Sequence, residues 1–210
     1  MATINISPGI NVITYRGDTP LNFSSITNFD TNITKVMSPD CKVRGGVVYQ
    51  NFQSYFPGAG PLNDWLTYFA GISSYIVVAK TAFSFNEQGR NLTQSYYIKL
   101  TAPIGMVYID SNRVNSIPVS NYDAYITNVY WFDQSISTWR KYTPGLGALN
   151  DLNGSGNNNW LPGRTYYVQG KPGPGSVSIV LDIPRIYDYL LADDDSFLLT
   201  DSDDNICVDS

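Results

Sequence analysis

Tyr55-Phe56-Pro57-Gly58-Ala59-Gly60-Pro61-Leu62-Asn63-Asp64 is answered later in the chain by Tyr142-Thr143-Pro144-Gly145-Leu146-Gly147-Ala148-Leu149-Asn150-Asp151. Seven of the ten positions are identical, in the same order. Each copy is followed by a Gly and a Tyr-bearing apolar run that ends in Lys, Gly71 to Lys80 and then Gly163 to Lys171. Internal repetition constrains a fold before any single residue does, and two copies of one β-unit are expected. Pro-Gly suits the centre of a type II turn, because Pro presets φ and Gly accepts a positive φ. Gly60 and Gly147 keep the chain tight. Leu62 or Leu149 can bury and pin the loop, and Asn63-Asp64 or Asn150-Asp151 can close a second turn on their own backbone. Asp64 and Asp151 could also form a paired ligand or metal site, but one carboxylate per copy is too few ligands.

Working outward, the composition agrees with a turn-rich all-β chain. Charged residues make up only 15%, Tyr occurs sixteen times and Glu once, at Glu87. Residues 1–187 carry thirteen basic and ten acidic side chains, whereas 188–210 carry eight Asp and no Lys or Arg. The body is near neutral and the end of the chain strongly acidic. Cys41 and Cys207 are no disulfide framework; a single bridge or two free thiols are both open. The start lacks the basic and apolar regions of a signal peptide. No apolar run is long enough to span a membrane.

Taken in order, Ile10 to Tyr15 reads as a strand, and Arg16-Gly17-Asp18 as a turn that resembles an adhesion tripeptide by chance. Residues 19–40 read as a long packed loop or short edge strands. Val43 to Phe52 is a strand with a bulge at Gly45-Gly46, and Ser73 to Lys80 a strand buried on both faces. Residues 81–94 are the candidate junction. Ser95 to Leu100, Ile104 to Asp110, Tyr122 to Phe132 and Ser176 to Ile183 are further strands. Residues 153–159 form a flexible loop tip. The expected architecture is two related β-sandwich-like units, 1–85 and 86–187, followed by a short strand repeat over 188–210.

That last segment repeats with a period of eight: Asp188 to Asp195, Ser196 to Asp203, then a degenerate copy from Asp204. A plain acidic tail would be disordered. Tyr189, Leu190, Leu191, Phe197, Leu198 and Leu199 instead demand cover, which strands this short cannot supply alone. They are candidate docking residues for a neighbouring subunit or another protein. The Asp-rich turns are similar to calcium-binding β-roll repeats but lack their glycines.

The absence of His removes His-based triads, general bases and metal ligands. No phosphate loop or dinucleotide fingerprint occurs, and basic residues do not cluster as a nucleic-acid footprint. Asp110, Asp123, Asp133 and Asp151 supply carboxylates, but no spacing singles out a catalytic pair. The sequence therefore points to a protein that is not an enzyme, needs no cofactor, and binds neither nucleic acid nor membrane. Trp139, Trp160 and Tyr166 flank the 153–159 loop. Aromatics on β-scaffolds stack on sugars, fill interfaces or simply build a core, so these three are candidate glycan contacts.

Val129-Tyr130-Trp131-Phe132-Asp133, Trp139-Arg140-Lys141-Tyr142, Leu149, Leu161-Pro162-Gly163 and Tyr166-Tyr167-Val168 resemble a β-module of bacterial surface proteins and phage appendages. A degraded copy spans 47–80, with Gln53 in place of the Trp. The period-eight segment is similar to the Leu-Leu and acidic repeats that end structural proteins of tailed phages. Those turns carry Glu-Asp-Gly where this chain has Asp and Ser. The resemblance implies a virion protein of a tailed bacteriophage, made in the host cytoplasm. It would be a tail component (fibre, baseplate or adaptor) that assembles with itself and other virion proteins. A capsid decoration or cement protein, and a module binding host surface polysaccharide, remain the alternatives.

Overall fold

The computed structural model describes residues 2–44, 47–60, 66–71, 73–91, 98–100, 104–109, 117–154, 156–171, 179–181, 199–200 and 206–207. For 39–44, 47–52, 91, 98–100, 104, 179–181, 199–200 and 206–207 it describes the backbone only. These residues form an all-β protein whose strands pair antiparallel throughout. Its one described α-helical turn is α1 (Phe29–Asn32).

The N-terminal half contains β1 (Thr3–Ile6), β2 (Gly9–Tyr15), β3 (Gly17–Thr19), β4 (Leu21–Asn22), β5 (Ile33–Arg44), β6 (Val47–Tyr55), β7 (Tyr68–Phe69), β8 (Ser73–Ala79), β9 (Phe83–Asn86) and β10 (Gln88–Asn91). Its main sheet has the order β2-β8-β5-β6. The pairs β1-β9, β3-β10 and β4-β7 flank it. The C-terminal half contains β11 (Ile98–Leu100), β12 (Ile104–Ile109), β13 (Ile126–Asp133), β14 (Thr138–Tyr142), β15 (Arg164–Gly170) and β16 (Ile179–Leu181). There the main sheet runs β12-β15-β13-β14, and β11 pairs with β16. Near the end, β17 (Leu199–Thr200) pairs with β18 (Ile206–Cys207).

The two main sheets match strand for strand and register for register. Val36 sits between Tyr55 and Val77; Val129 sits between Tyr142 and Val168. The register slips once in each, between Ile33 and Lys35 and between Ile126 and Asn128. Just past each slip, Lys80 N donates to Asn32 O and Lys171 N to Tyr125 O. The Pro-Gly phrases close in the same way. Ala59 N donates to Phe56 O and Leu146 N to Thr143 O, with Gly58 at φ 77° and Gly145 at φ 83°. A left-handed residue after Pro is the geometry of a type II turn, which explains the Gly at both positions.

Period-2 alternation builds one core on each sheet. β2 buries Ile13 and Tyr15, and β8 buries Tyr75 and Val77, against Phe23, Phe29 and Phe69. In the second sheet Val107, Ile109, Val129, Tyr166 and Val168 pack with Trp160 and Leu152. Equivalent aromatic clusters close both cores. Phe69 meets Tyr75 edge-on at 4.9 Å and Phe29 at 5.9 Å, and Trp160 meets Tyr166 at 5.2 Å and Tyr122 at 6.0 Å. Ser74 and Ile76, on the opposite face of β8, are also buried, as expected for a strand covered on both sides. Part of that cover comes from the second half, where Thr165 Oγ1 lies 2.9 Å from Thr14 Oγ1.

Several expectations change. Arg44 stands opposite Val47, so 43–52 is not one bulged strand: the chain reverses between β5 and β6. Gly-Gly between Val-rich segments is itself a hairpin signal. The 81–94 stretch is no linker as far as it is described, because β9 and β10 pair back onto β1 and β3. Gly17 and Asp18 lie in β3 rather than a turn, and Asp18 Oδ1 accepts from Arg90 N. Residues 119–122 form a 3-10 turn, which moves the start of β13 to Ile126. The described part of the 153–159 loop is laced by Asn side chains: Leu152 N donates to Asn158 Oδ1, and Asn153 Nδ2 to Asn159 O.

Candidate functional site

The strand alternation that sends Val129, Tyr166 and Val168 inward leaves Tyr130, Tyr167 and Gln169 on the other face of the sheet. Trp139 joins them from the edge strand β14, directly opposite Phe132. Together with Ile76 of β8, these residues line an open trough of about 410 Å³. Its walls are mainly rings. Trp139 is 38% exposed and braced edge-on by Phe132 at 5.2 Å. Tyr130 and Tyr167 lie 5.9 Å apart, and Lys141 Nζ sits 5.6 Å from the Tyr130 ring centre.

One polar group in the trough is oriented from behind. Thr143 Oγ1 donates to Asn128 Oδ1, and Asn128 Nδ2 donates to Gln169 Oε1, both at 2.7 Å. With its carbonyl accepting from Asn128, the Gln169 amide N–H groups have no other partner among the described residues. Aromatic faces beside a fixed amide donor can stack on an apolar sugar face while bonding a hydroxyl.

Of the candidate glycan contacts, only Trp139 is at this surface. Trp160 and Tyr166 are fully buried core residues and cannot touch a sugar. Burial pushes the Tyr166 phenol up to about 12, although its oxygen accepts from Leu161 N. Tyr167 belongs to the aromatics that the sequence places near the 153–159 loop, whereas Tyr130 and Gln169 carry a sequence signal only in retrospect. They alternate with the core residues of β13 and β15.

The repeat residues are structural. Tyr55 and Tyr142 start the two phrases and donate to Asp30 and Asp123. Pro57, Gly58 and Gly60, and Pro144, Gly145 and Gly147, shape the turns, with Gly60 and Gly147 also at positive φ. Leu149 does not pin its loop; it is 83% exposed. The pin is Asn150, which is buried and brackets Thr143: its Oδ1 accepts from Thr143 N at 2.8 Å, and its Nδ2 donates to Thr143 O at 3.0 Å. A buried amide can be satisfied by a backbone pair, whereas the loop has no apolar wall for Leu149. Leu62, Asn63 and Asp64 lie outside the described residues, as do Tyr189, Leu190, Leu191, Phe197 and Leu198; Leu199 is described only as backbone of β17. Asp151 is not free to pair with a second carboxylate, because Arg140 Nη1 binds it at 2.5 Å. Arg140 Nε also binds Asp133 at 2.8 Å. The Ser135 hydroxyl, followed by Arg140, holds the Asp133 carboxyl below the usual carboxylate range.

A second repeat, overshadowed in the sequence by the Pro-Gly phrase, supplies the acceptors for Tyr55 and Tyr142. Asn28-Phe29-Asp30-Thr31-Asn32-Ile33-Thr34 matches Asn121-Tyr122-Asp123-Ala124-Tyr125-Ile126-Thr127. In each, the aromatic and the Ile are buried and the Asp takes the phrase's tyrosine.

The chain matches no family model, no curated protein and no solved structure.

Proposed function

We propose that this chain is a non-enzymatic structural subunit of a tailed-phage virion, a tail component that assembles as a homo-oligomer. The observation that carries this reading is the strand-for-strand repeat of two four-stranded sheets, one containing the 129–168 stretch that resembles the phage-appendage module and the other its degraded copy at 47–80. Among the described residues the two main sheets end at β6 and β14, and strand edges of this kind suit lateral pairing with other chains. The β5–β6 hairpin extends this edge. β8 pairs with β5 only as far as Met37, whereas β6 follows β5 out to Arg44. The acidic, Leu-rich segment 188–210 then serves as the docking element, because its apolar residues need cover from a partner. Light scattering on the purified full chain tests this reading. A discrete oligomer that falls to monomer when 188–210 is deleted, with the body still folded, is expected. A wild-type protein that stays monomeric at high concentration overturns it.

The trough favours a second reading, a module for host surface polysaccharide. Trp139, Tyr130, Tyr167 and Gln169 would be the contacts, and the same subunit could present them at a fibre tip.

A further inference from the structure

The two cations of β14 are sorted by strand alternation. Arg140 stands opposite Trp131 and is bound by Asp133 and Asp151. Lys141 stands opposite Tyr130, on the face that carries Trp139 and the trough. It is exposed, and its Nζ has no carboxylate within ion-pair distance among the described residues. Its one described contact is with the Tyr130 ring, 5.6 Å from the ring centre. A cation–π contact at an exposed site is weak, so the ammonium stays available to an anion.

The rest of the trough has the same polarity. Gln169 already uses its carbonyl to accept from Asn128 Nδ2, and its N–H groups have no partner among the described residues. The Trp139 indole N–H, a donor only, has none there either. None of the described lining residues is acidic. Residues 1–187 carry thirteen basic and ten acidic side chains, a net charge of +3, so the body does not repel an anion.

This polarity selects the ligand class. A neutral sugar offers hydroxyls that donate as well as accept, and leaves Lys141 without a counter-charge. A sugar ring that bears a carboxylate supplies an apolar face for the aromatic walls and charged acceptors for the donors, and charge-assisted bonds are the stronger ones. We infer that the trough binds an acidic polysaccharide of the uronate class, with a ring stacked on Trp139, a carboxylate paired with Lys141 Nζ, and Gln169 donating to an acceptor further along the sugar chain. The inference rests on the polysaccharide reading of the trough and adds the charge of its ligand.

Calorimetric titration of the full chain tests it, with tetragalacturonate, alginate-derived tetramannuronate and a hyaluronan tetrasaccharide as probes. The methyl ester of each removes the charge and keeps the rings. At least one acid is expected to bind, about fivefold tighter than its ester, which is what an exposed ion pair supplies at the upper end of its range. Lys141→Met should remove that difference, Trp139→Ala should abolish binding, and added salt should weaken the acid more than the ester. Lys141 is exposed, so its variant should fold. If the esters bind as tightly as the acids, or Lys141→Met leaves acid binding unchanged, the inference is overturned while the polysaccharide reading stands. If neither acids nor esters bind, that reading falls and the inference falls with it. Tighter binding of a single-stranded oligo-dT than of any uronate overturns both.

Discussion

The Tyr142 hydroxyl donates to Asp123 Oδ1 across 2.7 Å, joining the first residue of the Pro-Gly phrase to the turn that launches β13. Tyr55 makes the same bond to Asp30 at 2.6 Å. Each bond ties the exit of an edge strand to the entry of its neighbour, so it holds the sheet corner from which the loop departs. Removing one phenol oxygen should cost about 1 kcal/mol, the net worth of a hydrogen bond whose acceptor can still reach water. Urea melts of Tyr55→Phe, Tyr142→Phe and the double variant check this. The two bonds belong to different sheets, so the losses should add.

The same bonds shape the alkaline limit of stability. Burial first, and then the neighbouring aspartate, push Tyr55 and Tyr142 up to about 12, and burial does the same for Tyr166. An unfolded tyrosine titrates near about 10. The folded state therefore holds these protons more tightly. The stability linked to them is fully present below about pH 10 and is lost as pH rises toward about 12. Ultraviolet titration should show these phenols ionising late, together with unfolding. Normal titration of all tyrosines in a protein that remains folded would contradict the finding.

Neighbouring residues in one loop should behave in opposite ways. Leu149→Ala should change stability by less than about 0.5 kcal/mol, as exposed substitutions do. Asn150→Ala should cost about 1–3 kcal/mol, because it removes a buried amide and leaves the half-buried Thr143 N–H and C=O without these partners. Thermal melts of the two variants compare them directly.

The tryptophans separate core from surface. Trp160→Ala should cost about 3–5 kcal/mol by opening a cavity. Trp160→Phe should cost far less, since it installs the ring that Phe69 provides at the equivalent place and removes an indole N–H that has no partner among the described residues. Trp139→Ala should leave the melting temperature nearly unchanged yet abolish any saturable fluorescence change with host polysaccharide. Quenching that survives in Trp139→Ala would remove the trough as its source.

The all-β class and the Pro-Gly turns could be read from the sequence alone, because they rest on local physics. Tyr- and Val-rich runs favour pleated strands, and Pro-Gly favours a type II turn through the φ values of those two residues alone. Seven identities at fixed spacing likewise marked equivalent turns before any contact was known. Which side chain did which job was decided by tertiary structure. Trp139 and Trp160 each follow two polar residues, but one lies on an edge strand and the other is buried in the core. Asn150 and not Leu149 pins the loop, because the loop offers Asn150 a backbone pair to bind and leaves Leu149 exposed. Arg16 and Glu87 lie 71 residues apart and meet only because β9 and β10 fold back on β1 and β3. No local pattern encodes that meeting, since it depends on pairing between distant strands, and with it comes the one buried carboxylate oxygen that lacks a partner among the described residues.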